Sequence, residues 1–498
     1  MNHIIHPALR RAGALAAALV LAAPAALSAQ QPTLTLEQAV ATARERNPEM
    51  LQQRNDVRSA RAAVRESRLD FLPSASVSST FGYTAPGEER LGFSFSRETP
   101  SYYSSSYRAG ISYNLSGAKL MQPSIARAQE RATTERIEGY EANLVSTVVQ
   151  QYLTALQARE QAEQAQREVE RTAEHERLAK ARLDVGAGTP LDLRRAEVQR
   201  GQAEVALLQR QNDYQTQVLR LGLAMGSPLS PTTQLSSSFA LSEPRWSADS
   251  LVNLALSGNP NLDAARASAR AARTNVRAAR TQYLPSLSFQ AGITGSVYSA
   301  GDLSPLYAST LAAAQQGYES CLQGNRLALL LGDAPQPCSN PANPAVEEAL
   351  RRQVRESNPS FPFDYTRQPL GASLTVSLPV FNGYNRERQV EEARVQAEDA
   401  DLAVRTQELR LRTDIEAAVL GLETAFRTAR LQDQVVQKAS EELRLAQERF
   451  RFGVASSVEV TDAQASLAQA EQARIDAIYN YHKSLAALEA LVGRPLRQ

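Results

Sequence analysis

From Ser74 to Tyr83 apolar and small polar side chains alternate, with Ala75, Val77, Phe81 and Tyr83 on one side and Ser74, Ser76, Ser78 and Thr80 on the other. Tyr107, Ala109, Ile111, Tyr113 and Leu115 alternate in the same way with Arg108, Gly110, Ser112, Asn114 and Ser116. In the second half Leu287, Phe289, Ala291 and Ile293 oppose Ser288, Gln290, Gly292 and Thr294; Ala372, Leu374 and Val376 oppose Gly371, Ser373 and Thr375. A period of two marks a strand with two unlike faces, so strands are predicted at about 74–83, 107–116, 286–297 and 370–380. Segments of roughly ten residues, apolar on one face and small-polar on the other, suit tilted strands of a transmembrane barrel with lipid outside and water inside. For one strand alone, a sheet packed on a protein core would explain the pattern as well; four of them point to the barrel. Four strands cannot close, and open edges inside a bilayer leave backbone groups unpaired at several kcal/mol each. Several chains must then share one barrel, and two, three or four chains would supply eight, twelve or sixteen strands.

The remaining pattern is helical. Residues Leu36 to about Asp70 are rich in Ala, Arg, Glu and Gln, which favour helix, and Pro73 closes the run. A single helix of about 66 residues is predicted over 119–184, roughly 100 Å at 1.5 Å per residue. It stops at Gly186-Ala187-Gly188, and a further helix follows over 190–224, with Thr189 as N-cap and Pro190 at the first position. The second half repeats the scheme at 248–283, 386–451 and 457–490. Each half thus pairs one long helix with two shorter ones placed head to tail. Leu193, Ala196, Arg200, Ala203, Leu207, Arg210, Tyr214, Gln217 and Leu221 keep heptad spacing, as do Val460, Ala463, Leu467, Ala470, Ala477, Tyr481 and Leu488. These alanine-rich stripes suit close helix pairs in a hollow cylinder; a solid antiparallel bundle is the other arrangement they permit.

The two halves are copies of one unit. Asn47-Pro48, Arg61, Val64, Arg65 and Leu72-Pro73-Ser74 return 212 residues later as Asn259-Pro260, Arg273, Val276, Arg277 and Leu284-Pro285-Ser286. Further on the offset is 267: Arg182, Gly186, Ala196, Ala203 and Gly226 return as Arg449, Gly453, Ala463, Ala470 and Gly493. The second copy therefore carries 55 extra residues, between its two strands. The organisation is a signal segment (1–29), a first repeat (30–230) and a second repeat (231–498) with a linker to about 247 and a surface loop over 299–367.

Composition removes several function classes. With 54 basic and 53 acidic residues there is no nucleic-acid footprint. Arg10 and Arg11, the apolar run from Ala12 to Leu27 and the small residues Ser28 and Ala29 read as a cleaved secretory signal. No other stretch approaches the ~20 apolar residues of a membrane helix. Export makes a disulfide feasible, and Cys321 and Cys338, both in the extra segment, are the two cysteines of the chain. His175 and His482 stand isolated on predicted helices, and no metal-ligand spacing, phosphate loop or nucleophile motif occurs. No cofactor, metal or catalytic residue is expected, and the chain does not read as an enzyme.

Several short stretches, taken in order, are specific. They are Leu34–Ala39 (LTLEQA), Tyr283–Ser286 (YLPS), Leu378–Gly383 (LPVFNG), Arg182–Leu193 (RLDVGAGTPLDL) and Arg449–Ala463 (RFRFGVASSVEVTDA). With the duplication, the strands and the long helices they resemble the TolC-like outer-membrane efflux proteins across nearly the whole mature chain. The resemblance implies an α+β membrane protein: a homotrimer with a 12-stranded transmembrane β-barrel in outer-membrane lipid, four strands per chain, continued by a long periplasmic α-helical barrel. It implies docking of a periplasmic adaptor at Val185, Gly186 and Thr189 and at Phe452, Gly453 and Ser456, and an inner-membrane transporter as energy source. It also implies a pore constriction at Glu459, Asp462 and Asp192. Phe450 and Ala455 depart from the family's latch residues, a tyrosine and an arginine, so the links those make cannot form here; Arg449, Arg451 and Arg194 are candidate substitutes. The implied function is the exit duct of a tripartite efflux system. The outer-membrane channel of a type I secretion system and a periplasmic coiled-coil protein without a pore are the alternatives.

Overall fold

The computed structural model describes residues 33–90 and 96–496; the signal segment lies outside them. In chain order the elements are β1 (Thr33–Leu34), α1 (Leu36–Arg46), α2 (Pro48–Leu69), β2 (Ser74–Thr84), β3 (Gly87–Arg90), β4 (Ser96–Thr99), β5 (Tyr102–Leu115), α3 (Gly117–Asp184), α4 (Pro190–Met225) and β6 (Gln234–Leu235). They continue as α5 (Ala248–Gly258), α6 (Pro260–Arg280), β7 (Ser286–Ala300), α7 (Ser304–Leu331), α8 (Pro344–Ser357), β8 (Thr366–Arg367), β9 (Gly371–Ser377), α9 (Asn385–Arg451) and α10 (Ser457–Val492). The chain divides into two compact units, one built from Gln52–Gly139 and Gly258–Leu411, the other from the described residues up to Leu51, Tyr140–Ser257 and those from Arg412 onward.

The first unit holds the main sheet. Its order is β2-β5-β7, with β8 and β9 both on the far side of β7, and all pairings are antiparallel. The register puts the four apolar sets on one face: Val77 lies opposite Ala109, Ala109 opposite Ile293, Phe289 opposite Leu374. That face is bare, with Val77 82% and Val376 67% exposed, while the other carries serines, threonines and glycines. Among the described residues β2 pairs with β5 alone and β9 with β7 alone, so the sheet has two open edges. Aromatic rings collect on the apolar face at one end of the strands. Phe361 packs on Phe81 and Tyr103 (centroids 6.4 and 5.3 Å) and Tyr365 on Tyr107 (4.9 Å). Tyr113 and Phe289 stand opposite each other toward the other end.

Helices of this unit meet through small side chains. Ala132 on α3 packs against Ala267 and Ala271 on α6. A Cβ on Gly117 would lie 2.2 Å from the Thr281 carbonyl oxygen, so only glycine allows that approach. Arg266–Glu408 (2.9 Å) and Arg273–Asp401 (2.7 Å) tie α6 to α9.

The segment 299–367 is not the plain loop expected from its Pro, Gly and Asn content. It contains α7 and α8, which pack on each other, and Arg351 lies over the Tyr307 ring at 4.6 Å. Leu303 does not cap α7 and almost none of the insert is buried, so apolar periodicity gave little signal. Cys321 and Cys338 are bonded, with Cα atoms 5.8 Å apart, and join the second half of α7 to the connection that follows it.

The second unit is helical with a continuous core, centred on Tyr152, Leu156, Leu221, Ile415, Tyr481 and Leu488, each below 2% exposed. The predicted linker adds a strand: β6 pairs in parallel with β1, and Tyr152 donates its hydroxyl hydrogen to the Leu34 carbonyl at 2.8 Å. The helix expected over 36–70 is two helices, because Pro48 has no N–H and forces Asn47 into extended backbone (ψ 123°). The Asn47 carboxamide then caps α2, accepting from the Glu49 and Met50 amides at 3.0 and 3.1 Å, and its Nδ2 donates to the Ala224 carbonyl at the end of α4 (3.1 Å). The copy at 248–283 breaks in the same way at Asn259-Pro260, where Asn259 caps α6.

At the α4 end Gly226 has φ +70°, and a Cβ there would lie 2.6 Å from the Asn47 Cα. Gly226→Ala adds a left-handed alanine to a backbone clash and should cost about 3 kcal/mol. Gly186 has a similar φ of +74° with open space around it, so Gly186→Ala should cost about 1 kcal/mol. Thermal unfolding in detergent checks this: the Gly226 variant should melt well below the Gly186 variant, and equal midpoints would contradict the junction.

Candidate functional site at the helical hairpin turns

The turns α3–α4 and α9–α10 are built alike from equivalent residues. Gly186 and Gly453 take left-handed backbone (φ +74° and +76°), which ends the long helix with amide bonds from Ala187 to the Arg182 carbonyl (2.8 Å) and from Val454 to the Arg449 carbonyl (3.0 Å). Thr189 and Ser456 then cap the next helix by accepting from the amides of Asp192 (3.2 Å) and Glu459 (3.4 Å). Val185, Gly186, Thr189, Phe452, Gly453 and Ser456 are all exposed, Val185 at 77% and Phe452 at 83%. Two bare apolar side chains on tight, glycine-closed turns form a surface a partner can cover.

The acidic residues part company. Glu459 and Asp462 sit one turn apart on α10, both exposed; Glu459 meets Arg449 at 3.0 Å, and Asp462 has no ion pair among the described residues. Asp192 does something else. Its carboxylate accepts from the Thr189 hydroxyl (2.6 Å) and amide (3.3 Å), completing a capping box. Arg194 pairs with Glu197 on its own helix, so of the candidate substitute latches Arg449 alone meets an acid of the predicted constriction.

A different residue joins the two turns. Arg182 donates from Nη2 to the Ala187 carbonyl of its own turn (2.9 Å) and from Nη1 to the Phe450 carbonyl at the end of α9. The same guanidinium lies 4.5 Å from the Phe450 ring centroid. Phe450 is buried among Leu443, Ala446, Val460 and Ala463, with Leu178 of α3 against that cluster. The phenylalanine that cannot make a hydroxyl bond thus serves as a hydrophobic and cation–π anchor. In the sequence Arg182 is half of a repeated pair with Arg449 and opens the stretch Arg182–Leu193; nothing in the local pattern shows that one caps both turns and the other pairs with Glu459.

His175 was also missed as a participant. It is 4% exposed, its ring is 5.6 Å from that of Phe450, and its Nε2 is buried without a hydrogen-bond partner. Burial holds the imidazole below its ordinary range, the nearby Asp192 charge opposing only in part. Among the described residues no cluster of His, Cys, Asp or Glu could hold a metal ion.

The model of one family, outer membrane efflux protein, matches residues 39–227 and 345–494. Three outer-membrane proteins of known structure share the fold. VceC of Vibrio cholerae is 16% identical with TM-score 0.64, over 93% of this chain and 97% of that one. The Campylobacter jejuni CmeC channel is 15% identical with TM-score 0.65, over 93% and 87%. The Neisseria gonorrhoeae MtrE channel, solved in an open state, is 17% identical with TM-score 0.63, over 93% and 89%. No curated protein matches the sequence.

A pH dependence follows from His175. Its folded value is depressed, so the unfolded chain takes up a proton at higher pH than the fold does, and stability is lost as pH falls from about 6.5 through the folded value. Thermal unfolding between pH 7.5 and 5 should show this loss in the natural protein and less of it in His175→Phe; equal losses would contradict a buried neutral imidazole.

Proposed function

The chain belongs to the outer membrane efflux protein family, and from that premise we propose that three copies form an exit duct of a tripartite efflux system, with twelve strands closed in the outer membrane. The carrying observation is the sheet, with four apolar sets in register on one exposed face and two edges open for neighbours. The helices support it. On α4, Leu191, Val198, Val205 and Leu219 are exposed at multiples of seven residues, as are Val395, Leu402 and Leu409 on α9, seams that fit helices of adjacent copies. The exposed turn residues are the surface for a periplasmic adaptor. Energy comes from an inner-membrane transporter, since the sequence has no nucleotide-binding motif.

In a trimer Glu459 and Asp462 supply six carboxylates to one constriction, and among the described residues Asp462 has no cation of its own. Crowded carboxylates favour cations at the mouth and offer a site for multivalent cation block.

Planar bilayers test the duct. The purified protein should conduct, with a preference for cations, and Glu459→Ala with Asp462→Ala should weaken both that preference and the block by multivalent cations. A non-conducting protein recovered in the soluble fraction would overturn the proposal, and unchanged selectivity would remove the acidic constriction from it.

A further inference from the structure

In the main sheet the charged side chains are Arg108 of β5 and Arg367 of the two-residue β8, and Arg108 is the one on the small-polar face. It sits on the small-polar face, opposite Ser78 of β2 and Thr294 of β7. Its depth is telling. On β5 it lies between the aromatic group of the apolar face at one strand end, which includes Tyr103 and Tyr107, and Tyr113 toward the other end. Aromatic residues of a barrel mark its two membrane interfaces, so Arg108 lies within the membrane-spanning part of the sheet. Facing lipid, an arginine would cost about 2–4 kcal/mol at the midplane and less toward an interface; alternation turns Arg108 toward the lumen. Arg108 is exposed, and among the described residues it pairs with no carboxylate.

The wall around Arg108 is shaped. One row toward the helices, Gly110, Gly292 and Gly371 lie side by side across three strands. This leaves a shelf without side chains beside the guanidinium. One row the other way, Thr80, Ser106 and Ser296 lie side by side and present hydroxyl groups. A guanidinium between hydroxyl donors and an empty shelf can receive an oxyanion, since arginine binds planar carboxylates and tetrahedral phosphates or sulfonates through paired N–H groups.

We propose that Arg108 forms an anion-selective ring in the barrel lumen, three guanidiniums at one depth, that receives the anionic group of an exported solute. The inference rests on the trimeric duct. It gives the pore two stations of opposite sign: carboxylates at the helical turns and arginines in the barrel. A solute carrying both signs, or an anion drawn past the acidic mouth by flow from the transporter, would find a matching charge at the second station.

The test uses full-length protein in planar bilayers under a potassium chloride gradient, in a Glu459→Ala, Asp462→Ala background so that the acidic mouth does not dominate. With Arg108 present the zero-current potential should show more chloride permeation than after Arg108→Gln. Arg108→Glu should push it further toward potassium, and Arg108→Lys should restore it. Conducting pores whose selectivity is the same with Arg, Gln and Glu at this position would overturn the ring and leave the duct standing. Absence of any conductance in the natural protein would overturn the duct, and the ring with it.

Discussion

A strand inside a bilayer finds no water for its backbone, so every N–H and C=O in the hydrocarbon must be paired by another strand. This constraint governs the rest of the molecule. Among the described residues the sheet pairs β5 and β7 on both sides and leaves β2 and β9 with one free edge each, and most of its apolar face is exposed. Such a sheet is a sector of a wall. Closing it requires more copies, and the copies bring the helices into a ring in which exposed leucine and valine seams gain partners. The internal duplication follows the same geometry, each repeat supplying two strands of the main sheet's alternating pattern and one set of helices.

Equivalent positions in the two repeats make different contacts. Arg182 and Arg449 occupy the same place before the same glycine. Arg182 bridges the two turns through the Ala187 and Phe450 carbonyls, whereas Arg449 pairs with Glu459. Asp192 is held by a threonine cap, while Glu459 and Asp462 are exposed. One turn is therefore fixed by local bonds and the other carries charge that a pore can use. The link between the turns combines one guanidinium, one aromatic ring and a buried histidine, so loss of the tyrosine and arginine expected from the family resemblance does not leave the turns unconnected.

How much of this was legible depended on whether the physical signal was local. Strand alternation and its lipid-facing sense were legible because period two needs no partner to be seen, and the register then placed the predicted faces together. The glycine turns and the caps at Thr189 and Ser456 were legible because their chemistry lies within a few residues. The breaks at Asn47-Pro48 and Asn259-Pro260 were visible as repeated pairs, but helix-forming composition on both sides hid them. The helices of the 299–367 insert went unseen because they bury almost nothing. The pairing of Arg182 with Phe450, 268 residues apart, is set by tertiary packing and has no sequence pattern at all. Arg108 was in view as the single charge in an alternating strand, yet its meaning needed the neighbouring glycine and hydroxyl rows, which only strand register supplies.

Three copies close the open sheet into twelve strands, and the mass of the native assembly extracted in mild detergent tests this most directly. Three chains per particle is the predicted result. A stable single chain would contradict the closure argument itself, and two or four chains would contradict the twelve-stranded wall on which the paired charge stations depend.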